Sequence, residues 1–100
     1  GTKMKKYIFN VKFTGDMDIE VEAESLDEAI HLVGMGYYYE VEVPANIHKE
    51  LSNPDSWTLT IVKSESDNRF YFGKTVKDMT VDNNFKFADK LINKKLEEEK

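Results

Sequence analysis

Apolar and polar side chains alternate from early in the chain. Tyr7, Phe9, Val11 and Phe13, then Met17, Ile19, Val21 and Ala23, occupy every second position. A period of two belongs to strands with one buried face, so two strands are expected. They join at Thr14-Gly15-Asp16, and both apolar sets fall on odd numbers, so they share a face only if the loop holds an odd number of residues. We therefore expect a three-residue loop that opposes Lys12 to Asp18 and Lys6 to Glu24. Ser25-Leu26-Asp27-Glu28 then has the form of a capping box, with Ser25 accepting from the free N–H groups of the first turn and Glu28 reaching back to the cap. The helix it opens carries Leu26, Ala29, Ile30 and Val33 on one stripe and ends at Gly34 and Gly36.

Tyr39, Val41 and Val43 alternate with Tyr38, Glu40 and Glu42, which predicts a third strand stopped by Pro44. A short helical turn is expected through Ile47 to Leu51, then a turn at Asn53-Pro54-Asp55. Trp57, Leu59 and Ile61 mark a fourth strand, and Phe70 and Phe72 open a fifth after the turn-rich Ser64 to Asn68. Lys74 to Val81 reads equally as strand or loop. A closing helix from about Asn84 is expected to bury Phe85, Ala88, Leu91, Ile92 and Leu96, with Glu97, Glu98 and Glu99 at the wrong end of its dipole. The fold class that follows is α+β: a mainly antiparallel sheet of four to five strands with one face covered by two helices. If the second and third strands are parallel and joined by a right-handed crossover, the first strand lies between them.

Composition narrows the picture. One hundred residues, 40% of them apolar, read as one small domain, with Gly1 to Lys3 as a cloning remnant ahead of Met4. No cysteine, signal-peptide core or long apolar run is present, so a cytosolic chain without disulfides or a membrane span is expected. The charges, 19 acidic against 14 basic, are unevenly placed: residues 13 to 48 hold nine acids and no Lys or Arg. Within that stretch Asp16, Asp18, Glu20, Glu22 and Glu24 fall on every second position, opposite the apolar set, and Glu40 and Glu42 do the same from the expected third strand. Carboxylates two apart on a strand sit about 6.7 Å from one another, so a rigid anionic face is expected. It has two readings: the solvated side of a sheet, partly neutralised by Lys6 and Lys12, or a surface for a cationic partner.

Candidate chemistry is sparse. Gly73-Lys74-Thr75 matches the end of a phosphate-binding loop, but Asn68 stands where its first glycine should be and bulky residues intervene. His31 and His48 have no cysteine or acid partner at a ligand spacing, so neither a metal nor a cofactor is implied. The acids lie on one exposed face and should behave alike, which is not how acid and base carboxylates are arranged. Lys86, Lys90 and Lys94 lie four apart on the last helix and read as a solvated face rather than a phosphate track, so direct nucleic-acid binding is not expected. Tyr38, beside the carboxylates, is a candidate contact.

Met4-Lys5-Lys6-Tyr7 followed by alternating strand, then Ile19-Glu20-Val21-Glu22-Ala23-Glu24-Ser25-Leu26-Asp27-Glu28-Ala29-Ile30, resembles the strand, strand, helix segment of small phage and mobile-element proteins, the DpnD/PcfM-like group among them. The resemblance spans about thirty residues and implies a bacterial or phage setting without catalytic residues. The acidic sheet also looks, in character, like that of phage inhibitors of host defence, including anti-CRISPR proteins that imitate nucleic acid. The leading expectation is thus a non-catalytic protein that docks Asp16, Asp18, Glu20, Glu22, Glu24, Glu40, Glu42 and Tyr38 on a basic protein surface, such as that of a nucleic-acid-processing or host-defence enzyme. The alternative is a structural or self-associating accessory protein, a homo-oligomer whose acids serve solubility alone.

Overall fold

Strand Lys5–Lys12 (β1) pairs antiparallel with Asp16–Ala23 (β2) on one side and with Thr58–Lys63 (β3) on the other, and Arg69–Thr75 (β4) pairs with β3. The sheet order is β2-β1-β3-β4, so β2 and β4 are its edges. This computed structural model describes residues 3–39, 41–80 and 84–98. The α+β class with an antiparallel sheet is as the alternation requires.

Odd positions of β1 and β2 supply Tyr7, Phe9, Val11, Ile19, Val21 and Ala23 to the core. Shared parity requires an odd loop, and the expected three residues form it as Phe13, Thr14 and Gly15, with Lys12 opposite Asp16 and Lys6 opposite Glu22. The expected partners, Asp18 for Lys12 and Glu24 for Lys6, are two residues out. The loop closes one position earlier than its composition suggested, because Phe13 N–H donates to Gly15 C=O (2.9 Å). A two-residue shift leaves each side chain on its expected face.

Helix Leu26–Gly34 (α1) buries Leu26, Ala29 and Val33 against the sheet. Ser25 Oγ accepts from Glu28 N–H (3.2 Å), while Glu28 Oε1 accepts from Glu24 N–H (3.2 Å), one residue before the cap it was expected to reach. At the other end Gly36, at φ 86°, donates to Val33 C=O and Tyr37 donates to Leu32 C=O, the paired bonds of a Schellman termination.

A 3-10 turn Ala45–Ile47 leads into helix His48–Leu51 (α2), and Trp57, fully buried, ties it to the sheet by donating from Nε1 to Glu50 C=O (2.8 Å). The ambiguous stretch resolves as strand to Thr75 and then one turn of helix, Val76–Met79 (α3), with Thr75 Oγ1 as its cap; Val81 lies outside the described residues. Helix Phe85–Glu98 (α4) buries Ala88, Ile92 and Leu96, with Phe85 and Leu91 half-buried at its margins. Asp89 Oδ1 of α4 accepts from Leu26 N–H (2.9 Å), joining the two helices on one sheet face.

The expected strand over 39–43 is a correction. Residues 41–44 adopt no regular structure, Tyr39 lies in a bend, and Glu40 lies outside the described residues. Among the described residues every strand pair is antiparallel, so the parallel crossover pair is absent as well.

Candidate protein-binding surface

Even positions of β1 and β2 build the face away from the helices. Asp16, Asp18 and Glu22 are exposed and Glu20 half-exposed along β2, with Lys6, Ile8, Asn10 and Lys12 beside them on β1. Glu24 follows β2, exposed, and its carbonyl accepts from Lys5 Nζ (2.9 Å). Lys5 is buried because its odd position turns it to the core side, from which the stem carries the ammonium to that carbonyl. Asn10 Nδ2 donates to Asp18 Oδ1 (3.0 Å). Among the described residues no cationic nitrogen lies within 4 Å of a β2 carboxylate; the ion pairs are Arg69 with Asp67 and Lys95 with Glu98. Lys6 and Lys12 therefore face acids without pairing closely to them.

Across the sheet the sign changes. One row runs Glu22, Lys6, Lys63, Arg69, and the next runs Glu20, Ile8, Ile61, Tyr71. The anionic array is thus a column along the β2 edge rather than a whole face. Glu42 is exposed and in no strand, and Glu40 lies outside the described residues.

The tyrosines exchange their expected places. Tyr38 is half-buried and packed on the core, whereas Tyr39 reaches the outer face. Tyr39 N–H donates to Glu20 C=O (2.9 Å), and Lys6 Nζ sits 5.4 Å from the centre of the Tyr39 ring. Partial loss of hydration, with the Glu22 carboxylate nearby, holds the Tyr39 phenol above its ordinary value. Tyr39 also belongs to a run of exposed apolar residues: Met35 54%, Tyr37 62%, Tyr39 43% and Val41 39%. Alternation puts Tyr39 and Val41 on one strand face with Val43 and so gives no sign of this exposed run.

His31 and His48 are exposed, and among the described residues no group of three His, Asp or Glu side chains could hold a metal ion. Gly73, at φ 63°, accommodates the Tyr71 ring, whose Cε1 would lie 2.8 Å from a Cβ added there; Thr75 caps a single helical turn, so the Gly-Lys-Thr string has local structural work at a strand end. Lys86, Lys90 and Lys94 are exposed on α4. Among the described residues no helix is long and apolar enough to cross a membrane. No family model matches the chain, and neither the curated proteins nor the solved structures compared with it give a match.

Proposed function

We propose that this chain is a non-catalytic binding protein that docks the β2 acid column and the adjoining Tyr39 on a basic protein surface, of the kind that nucleic-acid-processing proteins present. The observation that carries this reading is the junction at Glu20, where Tyr39 N–H binds the strand carrying Asp16, Asp18, Glu20 and Glu22. It brings exposed apolar area against carboxylates that no cation approaches within 4 Å among the described residues. Apolar area supplies affinity, while a single-sign column supplies encounter rate and selectivity. A phage or mobile-element setting, as the resemblance of the stretch from Met4 to Ile30 suggests, suits an inhibitor that occupies a phosphate-binding groove.

The test is equilibrium binding to a panel of purified basic nucleic-acid-binding domains, each measured against a neutral protein control. At least one should bind, should lose affinity as salt rises and the Debye length falls to about 3 Å at 1 M, and should be displaced by DNA or RNA. Glu20→Lys with Glu22→Lys should weaken that complex about tenfold or more, the scale of losing two interfacial charges and creating two repulsions. A panel that binds no more tightly than the neutral control, with the chain instead forming salt-insensitive oligomers on sedimentation, would make it a self-associating protein.

A further inference from the structure

The acid column is only half of the surface; Tyr39 beside it carries a ring that discriminates between cations. The Tyr39 ring stands on the outer face with Lys6 Nζ over it, next to Glu20 and Glu22 of the same strand. Lys6 is a compact ammonium on its own flexible stem, and among the described residues no carboxylate oxygen is within 4 Å of it. The ring thus already seats a cation whose charge is not directly paired. A planar guanidinium differs in three ways: it stacks on an aromatic face, it sheds water more readily, and it offers forked donors to carboxylates. An arginine entering beside Tyr39 can meet ring and carboxylate together.

We infer, on the strength of the docking reading above, that the partner segment seated on this surface is arginine-bearing, with a guanidinium placed between the Tyr39 ring and the Glu20 and Glu22 carboxylates, and that Lys6 is the internal competitor it displaces. Charge complementarity selects a basic partner over a second copy, since two copies meeting through this column would set acids against acids. The ring and the forked geometry select arginine over lysine.

The experiment uses the full chain and two fluorescent peptides of equal length and charge, one built on arginine and glycine, the other on lysine and glycine, read by anisotropy at low salt. The arginine peptide should bind about five times more tightly, because a guanidinium stacks on the ring and forks to the carboxylates while an ammonium does neither. Tyr39→Leu should lower that ratio to the smaller preference left by the forked donors, and Tyr39→Phe should keep it, because the ring rather than the hydroxyl is the contact. Lys6→Gln should tighten the arginine peptide several-fold by removing the competitor. These side chains reach the surface and the Tyr39 backbone bond survives each change, so circular dichroism should show the wild-type fold. Equal binding of both peptides overturns the arginine assignment while the acid column remains a basic-surface site. Binding of neither peptide, together with failure of the protein panel, removes both.

Discussion

Ile19-Glu20-Val21-Glu22 and Tyr39-Glu40-Val41-Glu42 share one pattern of apolar and acidic residues, yet they end in different states. In β2 the apolar members are buried and the acids point outward along a full antiparallel ladder with β1. In the second stretch Tyr39 and Val41 are exposed, and Tyr39 makes one backbone bond to Glu20. The difference lies in parity. Lys6 over the Tyr39 ring places that ring on the outer face, the face of Glu20. Antiparallel pairing continued from that bond would keep Tyr39, Val41 and Val43 outward and turn Glu42 toward the core side, at a cost of several kcal/mol for an unpaired buried charge. The ladder stops where it begins. β2 has no such conflict, since a loop of odd length sets its parity to match β1.

The largest effect that separates the two stretches is loss of a buried side chain. Ile19 is fully buried between the sheet and its helices, so Ile19→Ala should destabilise by about 2–5 kcal/mol, the usual range for deleting such a group. In the second stretch the exposed Val41→Ala should change stability by less than about 0.5 kcal/mol, as at other surface sites. Urea unfolding of both variants checks this; comparable losses would mean that the second stretch is held in the core as β2 is.

A smaller effect should appear when the parity conflict is removed. With Glu40→Val, Val41→Thr and Glu42→Val the apolar set moves to even positions, in step with the Tyr39 to Glu20 bond, so pairing with β2 can extend. Amide exchange at residues 41 to 43 should slow by about tenfold, corresponding to about 1.4 kcal/mol of local protection. Unchanged exchange would show that something other than parity keeps this stretch out of the sheet.

These cases also mark what was legible beforehand. Local rules suffice for the existence and faces of β1, β2 and α1, though not for the β1–β2 register, because their alternation, loop parity and Ser25 cap are all written within a few residues of one another. The outward placement of Tyr39 was not legible, since it depends on a single contact with Glu20, nineteen positions earlier. Alternation gives a face only once a partner fixes which face is inside. The acids of β2 were placed correctly because their partner strand is adjacent in sequence; Tyr38 was misplaced because its partner is not. The split of the outer face into an anionic column and a row with Lys6, Lys63 and Arg69 follows from β3 and β4 joining on the far side of β1, a pairing order that no local pattern specifies.

The smallest effect concerns what closes β2 at its C-terminal end, where the second stretch has no counterpart. Asp89 Oδ1 accepts from Leu26 N–H, and Lys5 holds the Glu24 carbonyl beside it. Burial pushes the Asp89 carboxyl above its ordinary value; the Leu26 N–H and Lys5 pull it down, and Asp27 pushes it up again. Tyr7 and Glu28 also face this cluster, and burial, with those two carboxylates, raises the Tyr7 hydroxyl too. Since the folded value for Asp89 lies above the unfolded one, the folded chain binds the proton more tightly. Its contribution is fully present below the unfolded value and is lost as pH rises through the folded value. Asp89→Asn keeps an acceptor for Leu26 without the charge. It should therefore melt slightly above the wild type at neutral pH, and the two should converge below about pH 4, where the carboxyl is protonated in both states. Asp89→Ala removes the acceptor and should cost about 1 kcal/mol at acidic pH, as for loss of a helix cap. Melting curves of the three proteins from acid to neutral pH decide it: an Asn variant less stable than wild type at neutral pH would mean that the Lys5 attraction outweighs burial at this site.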